Sequence, residues 1–258
     1  MTKKFVANFV VVENKPLNAT NFLIKVKSDS TLPPIFPGQF VNVEINDSKE
    51  IFLRRPFSIF EVDQKENTLS MIVKILGRGS KKLTEIEPGN QVSLVYPLGK
   101  SFTYPSSTDK VLLIGGGSGV APMLFLAKEA GLDKTQVDVL LGARTKEDHI
   151  DVEHYSKYAQ LHYATEDGSK GEKGFVTQHS VFTSGLRKYD KIYACGPDGM
   201  MRAIAKVAKA EDVFCEVSLE NLMACGFGVC LCCIEPTQKG NLCVCTDGPV
   251  FNIKDLKW

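Results

Sequence analysis

Along the first hundred residues the apolar positions come in short bursts separated by turns. Residues 5–12, 21–27, 40–45, 68–75 and 91–96 are rich in β-branched and aromatic side chains, and Pro33-Pro34, Pro37-Gly38, Pro88-Gly89 and Pro97-Leu98-Gly99 punctuate them. Short strands at this spacing predict an antiparallel barrel over residues 1–103, with a short helix over 81–86. From residue 104 the pattern changes. Residues 111–114 form the unbroken apolar run of a buried parallel strand, a glycine turn follows, and a helix is predicted over 122–130. Further strands over 137–141, 160–164 and 191–194 and a helix over 199–210 make residues 104–214 an α/β domain around a parallel sheet. Residues 215–258 show little periodicity. The predicted fold class is therefore α+β multidomain, with a barrel, a parallel-sheet domain and a small C-terminal segment.

Composition narrows the function classes. The chain has 258 residues, with 31 Lys+Arg against 30 Asp+Glu and a formal charge of +1. That balance argues against a nucleic-acid partner, which would call for a basic excess. Hydrophobic residues at 43% and charged residues at 24% are those of a folded globular chain. Met1-Thr2-Lys3-Lys4 and the apolar run after it resemble a signal peptide only briefly, because Asn8 and Glu13 interrupt it. The longest uncharged apolar stretch, 111–127, is too short for a ~20-residue span and contains four glycines. A soluble, cytoplasmic protein without membrane attachment is expected.

Of the eight cysteines, six lie between positions 225 and 245. Crowding at one end of a cytosolic chain points to metal rather than to a disulfide framework. Cys225, Cys230 and Cys233 are spaced C-x4-C-x2-C, the plant-type ferredoxin spacing that turns successive thiolates onto one [2Fe–2S] core. Gly226 and Gly228 lie in that loop, where positive φ is useful. Structural zinc favours two C-x2-C pairs, and Cys243-x-Cys245 makes a poor second one. Plain buried thiols are the remaining alternative. Spacing alone leaves the fourth ligand open between Cys243 and Cys245; on an extended segment the two face opposite sides. The two spare cysteines, with Cys232 among them, read as small buried hydrophobes.

Gly115, Gly116, Gly117 and Gly119 follow a strand and open a helix at Pro122, the context a nucleotide loop requires. Backbone N–H groups at a helix start hold a pyrophosphate. A second turn, Cys195-Gly196-Pro197, ends a later strand of the same sheet, so two glycine turns flank a dinucleotide crevice. A tight structural turn is the alternative. Glu166 and Asp167 follow the 160–164 strand; carboxylates there accept from ribose hydroxyls and repel a 2′-phosphate, which favours NAD unless Arg144 or Lys170 reaches the ribose.

Arg54-Arg55-Pro56-Phe57-Ser58-Ile59 taken alone reads as an edge strand containing a proline. A hydride donor moves two electrons and a [2Fe–2S] centre takes one, so a flavin is needed between them. With Pro37-Gly38-Gln39-Phe40, Arg55-Pro56-Phe57-Ser58, Gly115 to Pro122 and Cys195-Gly196-Pro197, the whole chain resembles the ferredoxin–NADP reductase superfamily. Met223 to Cys230, with Cys245-Thr246-Asp247-Gly248-Pro249-Val250-Phe251, is similar to the electron transfer subunits of class B dihydroorotate dehydrogenases. That resemblance implies FAD, a [2Fe–2S] cluster and NAD as cofactors, and Cys245 as the fourth cluster ligand. It also implies an FMN-containing catalytic partner in a heterotetramer. By the same resemblance Arg55 contacts the FAD pyrophosphate and Ser58 the reactive flavin nitrogen. Ile72, Val73 and Lys74 match the second flavin strand, and Gly79-Ser80 a phosphate-binding turn. The related alternative is a flavin subunit feeding a hydrogenase or a ferredoxin-linked transhydrogenase; a different class is a zinc-stapled nucleotide-binding regulator. His149, His154, His162 and His179 lie on no ligand spacing and are expected at the surface.

Overall fold

The computed structural model describes residues 3–45, 50–133, 135–150 and 152–258; Met1 and Thr2 of the basic start lie outside them. Six strands, β1 (Phe5–Pro16), β2 (Asn21–Lys27), β3 (Phe40–Val43), β4 (Arg55–Asp63), β5 (Thr68–Lys74) and β6 (Gln91–Leu98), close into a barrel in the order β1-β2-β5-β4-β3-β6. All its pairings are antiparallel. Alternation sets the inside of β1: Phe9 and Val11 point inward while Asn8 and Val12 are exposed. The 54–59 run is not at an edge. Closure places β4 between β5 and β3, with Pro56 opposite Asn42. Helix α1 (Arg78–Thr84) begins three residues before its predicted start. Ser80 Oγ accepts from the N–H groups of Leu76 and Gly77 at 2.9 and 3.1 Å and so starts the turn early.

The second half is a seven-stranded sheet. β7 (Lys110–Gly116), β8 (Gln136–Ala143), β9 (Gln160–Thr165), β10 (Glu172–Lys173), β11 (Lys191–Cys195) and β12 (Phe214–Ser218) run parallel in the order β10-β9-β8-β7-β11-β12. Three helices accompany it, α2 (Val120–Leu132), α3 (Ser180–Thr183) and α4 (Asp198–Ala210). The C-terminal chain, aperiodic in sequence, holds a hairpin of β13 (Ile234–Thr237) and β14 (Gly240–Cys243), a helical turn α5 (Val244–Asp247) and β15 (Val250–Asn252). β15 joins the sheet antiparallel to β12.

Helix α2 is buried from Val120 to Ala127 without a break, which an ordinary surface helix is not. It is a wall shared by two modules: Phe125 packs into the barrel core, while Leu124 and Leu126 pack with Val111 and Leu113 of the sheet. Helix α4 covers the other face and is amphipathic, with Met201, Ile204 and Ala208 inward and Arg202 and Lys206 outward. Polar clamps fix the modules to each other. Tyr155 Oη donates to Glu61 Oε1 at 2.5 Å, and the Glu216 carboxylate accepts from Thr103 N–H and Oγ1 at 2.8 and 2.7 Å. No helix among the described residues is long and apolar enough to cross a membrane.

Three histidines depart from the expected surface position, His149 among them with its Nε2 buried and unpartnered. His179 is buried, its Nδ1 accepting from Val181 N–H, and His162 lies 2.7 Å from Asp138 Oδ1. His179 and His162 gain polar partners inside the fold, which a sequence without neighbours in space does not reveal.

Candidate functional site

β7 and β11 are adjacent, and the chain departs from them to opposite sides of the sheet, so their carboxyl ends frame a switch-point crevice. The Gly115–Gly119 turn leaves β7 and the Cys195-Gly196-Pro197 turn leaves β11. The two turns are in backbone contact. A Cβ on Gly119 would stand 2.4 Å from Cys195 O and 2.5 Å from Gly196 N, so only glycine permits this approach. Pro122 falls in the first turn of α2, where its missing N–H costs nothing. Glu166 and Asp167 are exposed beyond β9, and Asp167 Oδ1 accepts from Ser169 Oγ and N–H at 2.6 and 3.0 Å, holding its carboxyl below the usual range. Of the cations nearby, Arg144 and Lys170 are committed to carboxylates: Arg144 Nε lies 3.1 Å from Asp148 and Lys170 Nζ 3.1 Å from Glu153.

The barrel brings its predicted residues to the same place. Ile72 and Val73 are buried in β5, and Lys74 at the strand end points its Nζ toward the glycine turn, 3.9 Å from where a Cβ on Gly117 would be. Arg55, Pro56, Phe57 and Ser58 are half-buried on β4. The Arg55 guanidinium lies over Gly79, its Nε 3.2 Å from a Cβ position there. Ser80 is nearby in sequence, but its hydroxyl is fully used: besides the two bonds it accepts, it donates to Gly77 O at 3.1 Å. It shapes the turn and has no proton left for a ligand.

In the C-terminal segment Cys225 and Cys230 engage each other, as do Cys233 and Cys245. Gly226 and Gly228 adopt φ of +80° and +86°. The loop curls its amides onto sulfur, with Phe227 N–H 3.5 Å from Cys225 Sγ and Cys245 N–H 3.4 Å from Cys233 Sγ. Burial opposes ionisation of Cys225, but the N–H groups of Cys230, Phe227 and Val229 and the Cys230 thiol outweigh it and bring the group down to about 6. Burial and the Cys233 thiol push Cys245 up to about 12. Among the described residues no three Cys, His, Asp or Glu side chains are gathered as a ready metal cage. The donor set nonetheless fits an iron–sulfur cluster: soft thiols, amides aimed at sulfur, and glycines where the backbone must pass close. The spare cysteines differ from expectation, since Cys232 is exposed and Cys243 half-buried. Nor is the 243–245 segment extended: Asp247 accepts from Cys243 N–H at 2.9 Å and winds it into α5.

Residues 10–104 match the oxidoreductase FAD-binding domain family and residues 113–206 the oxidoreductase NAD-binding domain family. Residues 220–257 match the iron-sulfur cluster binding domain of dihydroorotate dehydrogenase B. The electron transfer subunit of dihydroorotate dehydrogenase B (NAD(+)) from Fusobacterium nucleatum subsp. nucleatum is 36% identical over 96% of this chain and 96% of its own. The chain belongs to the dihydroorotate dehydrogenase B electron transfer subunit family. The subunit of that name from Desulforamulus reducens is 38% identical over 86% of this chain and 87% of its own. Among solved structures, an NADH-dependent reduced ferredoxin-NADP oxidoreductase superposes with a TM-score of 0.87 at 29% identity, covering 98% of this chain and 90% of that one. The ferredoxin reductase of carbazole 1,9a-dioxygenase, at 23% identity and a TM-score of 0.71 over 81% of this chain and 67% of its own, shares the fold.

The iron–sulfur match of the dihydroorotate dehydrogenase B family starts at Glu220, which belongs to no sequence motif. Glu220 Oε1 lies 3.8 Å from Cys195 Sγ, on the crevice between the two turns. Its carboxyl is raised by the protein packed around it, against the opposing pull of Cys195 and Lys74, although the residue remains open to water along the crevice. A lone glutamate after a strand carries no motif; only the meeting of Cys195, Lys74 and Glu220 in space marks it.

Proposed function

We propose that this chain, as the electron transfer subunit of an NAD-dependent dihydroorotate dehydrogenase, links an FMN-containing catalytic subunit to NAD+ in pyrimidine biosynthesis, within a cytoplasmic heterotetramer. The observation that carries this reading is the convergence of three modules: strands β4 and β5, the glycine turns after β7 and β11, and the cysteine loop at the C-terminal end. Bound FAD supplies the exchange between a hydride pair and single electrons, and the cluster supplies the single-electron link to the partner. The chain's own residues bind and orient. Arg55, with the Gly79-Ser80 turn, holds the FAD pyrophosphate; Pro56, Phe57, Ile72 and Val73 line the flavin, and Ser58 stands at its reactive edge. Lys74 faces both the flavin strand and the nucleotide turn. Gly115, Gly116, Gly117, Gly119 and Pro122, with Cys195, Gly196 and Pro197, cradle NAD+, and Glu166 and Asp167 accept from the ribose hydroxyls. The pairing of Arg144 and Lys170 with carboxylates supports NAD+ over its 2′-phosphorylated form. Cys225, Cys230, Cys233 and Cys245 hold the cluster.

Leu222, Val229, Leu231 and Phe227 are 85, 74, 60 and 46% exposed around the cysteine loop, an apolar surface suited to a partner subunit. With a net charge of +1, docking there rests on apolar contact rather than bulk charge. The likeness to the ferredoxin-linked oxidoreductase supports a second reading, a subunit of a ferredoxin-linked transhydrogenase; the co-purifying protein decides between them.

Glu220→Gln is expected to slow NADH reduction of FAD by about tenfold in stopped flow, since misplacing a reacting group costs up to ~100-fold, with FAD content unchanged. The reading as a whole is tested by the absorption spectrum of the purified protein. Overlapping flavin and [2Fe–2S] bands that bleach with NADH are expected, and a colourless protein overturns it.

A further inference from the structure

Asn42 is the polar exception in β3, whose other residues, Phe40, Val41 and Val43, are all buried hydrophobics. It is itself fully buried. Its Nδ2 donates to Cys225 O at 3.0 Å, across 183 positions of sequence. Its Oδ1 is buried without a partner. Packing alone does not explain this residue, because leucine would fill the space and leave no orphaned acceptor. The fit around the amide is close: a Cβ on Gly226 would stand 2.2 Å from Asn42 Nδ2 and 3.3 Å from Leu98 Cδ1. The neighbouring strand in register, with Pro56 opposite Asn42, is β4, which carries Arg55 and Ser58. One amide therefore ties the root of the cysteine loop to β3, the strand paired with the one proposed to hold the flavin.

We infer that Asn42 is a positioning residue for electron transfer, fixing the Cys225–Gly226 peptide on the FAD barrel so that the loop amides stay aimed at the Cys225 sulfur. The inference rests on Cys225 being a cluster ligand, as proposed above. The chain of cause is short. Asn42 holds the Cys225 carbonyl, the carbonyl sets the orientation of the next peptide, and the N–H groups beyond it reach the sulfur. Amides donated to thiolate sulfur stabilise the more negative, reduced cluster, so loosening them makes the cluster harder to reduce.

The test uses the full chain loaded with FAD and cluster. Asn42→Asp keeps the shape and removes the donor; Asn42→Leu removes the amide and its orphaned acceptor together. For both variants the expected result is an altered EPR signal of the reduced cluster, a downward shift of its midpoint potential and several-fold faster iron loss to a chelator. FAD content, measured alongside, reports folding. Gly226→Ala, which pushes on the amide from the opposite side, is expected to move the EPR signal as well, and it serves if the Asn42 variants fold poorly. EPR signal and potential identical to the unaltered protein in Asn42→Leu overturn the inference, as does loss of FAD in parallel with the cluster. An unaltered protein with no [2Fe–2S] signal overturns the ligand assignment itself, a separate failure.

Discussion

Cys245→Ser is expected to abolish the [2Fe–2S] cluster while FAD stays bound, whereas Cys243→Ser keeps both. Cys245 is buried and paired with Cys233, its own N–H donating to the Cys233 sulfur at 3.4 Å. Cys243 is at the end of β14, half-buried, with its N–H taken by Asp247. Changes merely adjacent to a metal ligand cost ~10–100-fold in affinity, so loss of a ligand should exceed that range. Iron and labile sulfide per chain, with the visible spectrum, read the result directly. NADH-driven reduction of the partner should fall by at least ~100-fold in Cys245→Ser, by the same reasoning. Cluster loss in Cys243→Ser with retention in Cys245→Ser would transfer the fourth ligand to Cys243.

Gly119→Ala is expected to damage the nicotinamide crevice more than any other single methyl there. The added carbon would sit 2.4 Å from Cys195 O and 2.5 Å from both Cys195 C and Gly196 N. All three are backbone atoms, so no side chain can swing aside, and the β11 turn itself has to move. Overpacking of this kind costs ~1–3 kcal/mol, visible as a lower melting temperature. Because the displaced peptide belongs to the proposed NAD+ cradle, KM for NADH should rise by about tenfold or more, a 1.4 kcal/mol loss or greater. Gly199→Ala in α4 is the matched control. Nothing lies within 4 Å of its Cβ position, so a neutral or slightly stabilising change of ~0.4–1 kcal/mol is expected. Equal melting temperature and KM for Gly119→Ala and the unaltered chain would contradict the packed-turn account.

Much of the fold was legible because its signals are local. The bursts of β-branched residues, the run at 111–114 and the glycine turn each carry their geometry in adjacent positions, and the structure places strands and helices where they predict. What escaped depends on neighbours distant in sequence. The 54–59 run looks like an edge only until β3 and β5 close around it. The 215–258 segment lacks periodicity because its elements are short and draw stability from the larger sheet, as β15 does on β12. Asn42 and Glu220 belong to no motif; each becomes notable through one contact, with Cys225 and Cys195 respectively. His179 and His162 were misplaced for the same reason. Spacing leaves the fourth ligand open between Cys243 and Cys245, and because the chain winds into α5 after Cys243, strand alternation does not separate the two.

The proposed division of labour gives NAD+ and electron relay to this chain and dihydroorotate to a separate FMN subunit. Its most direct test is NADH-driven reduction of orotate under anaerobic conditions, assayed with the chain alone and with its co-purified partner. The account predicts turnover only in the complex, with NADH bleaching the flavin and cluster of the isolated chain but producing no dihydroorotate. Dihydroorotate formed by the isolated chain, or none formed by the complex, would contradict it.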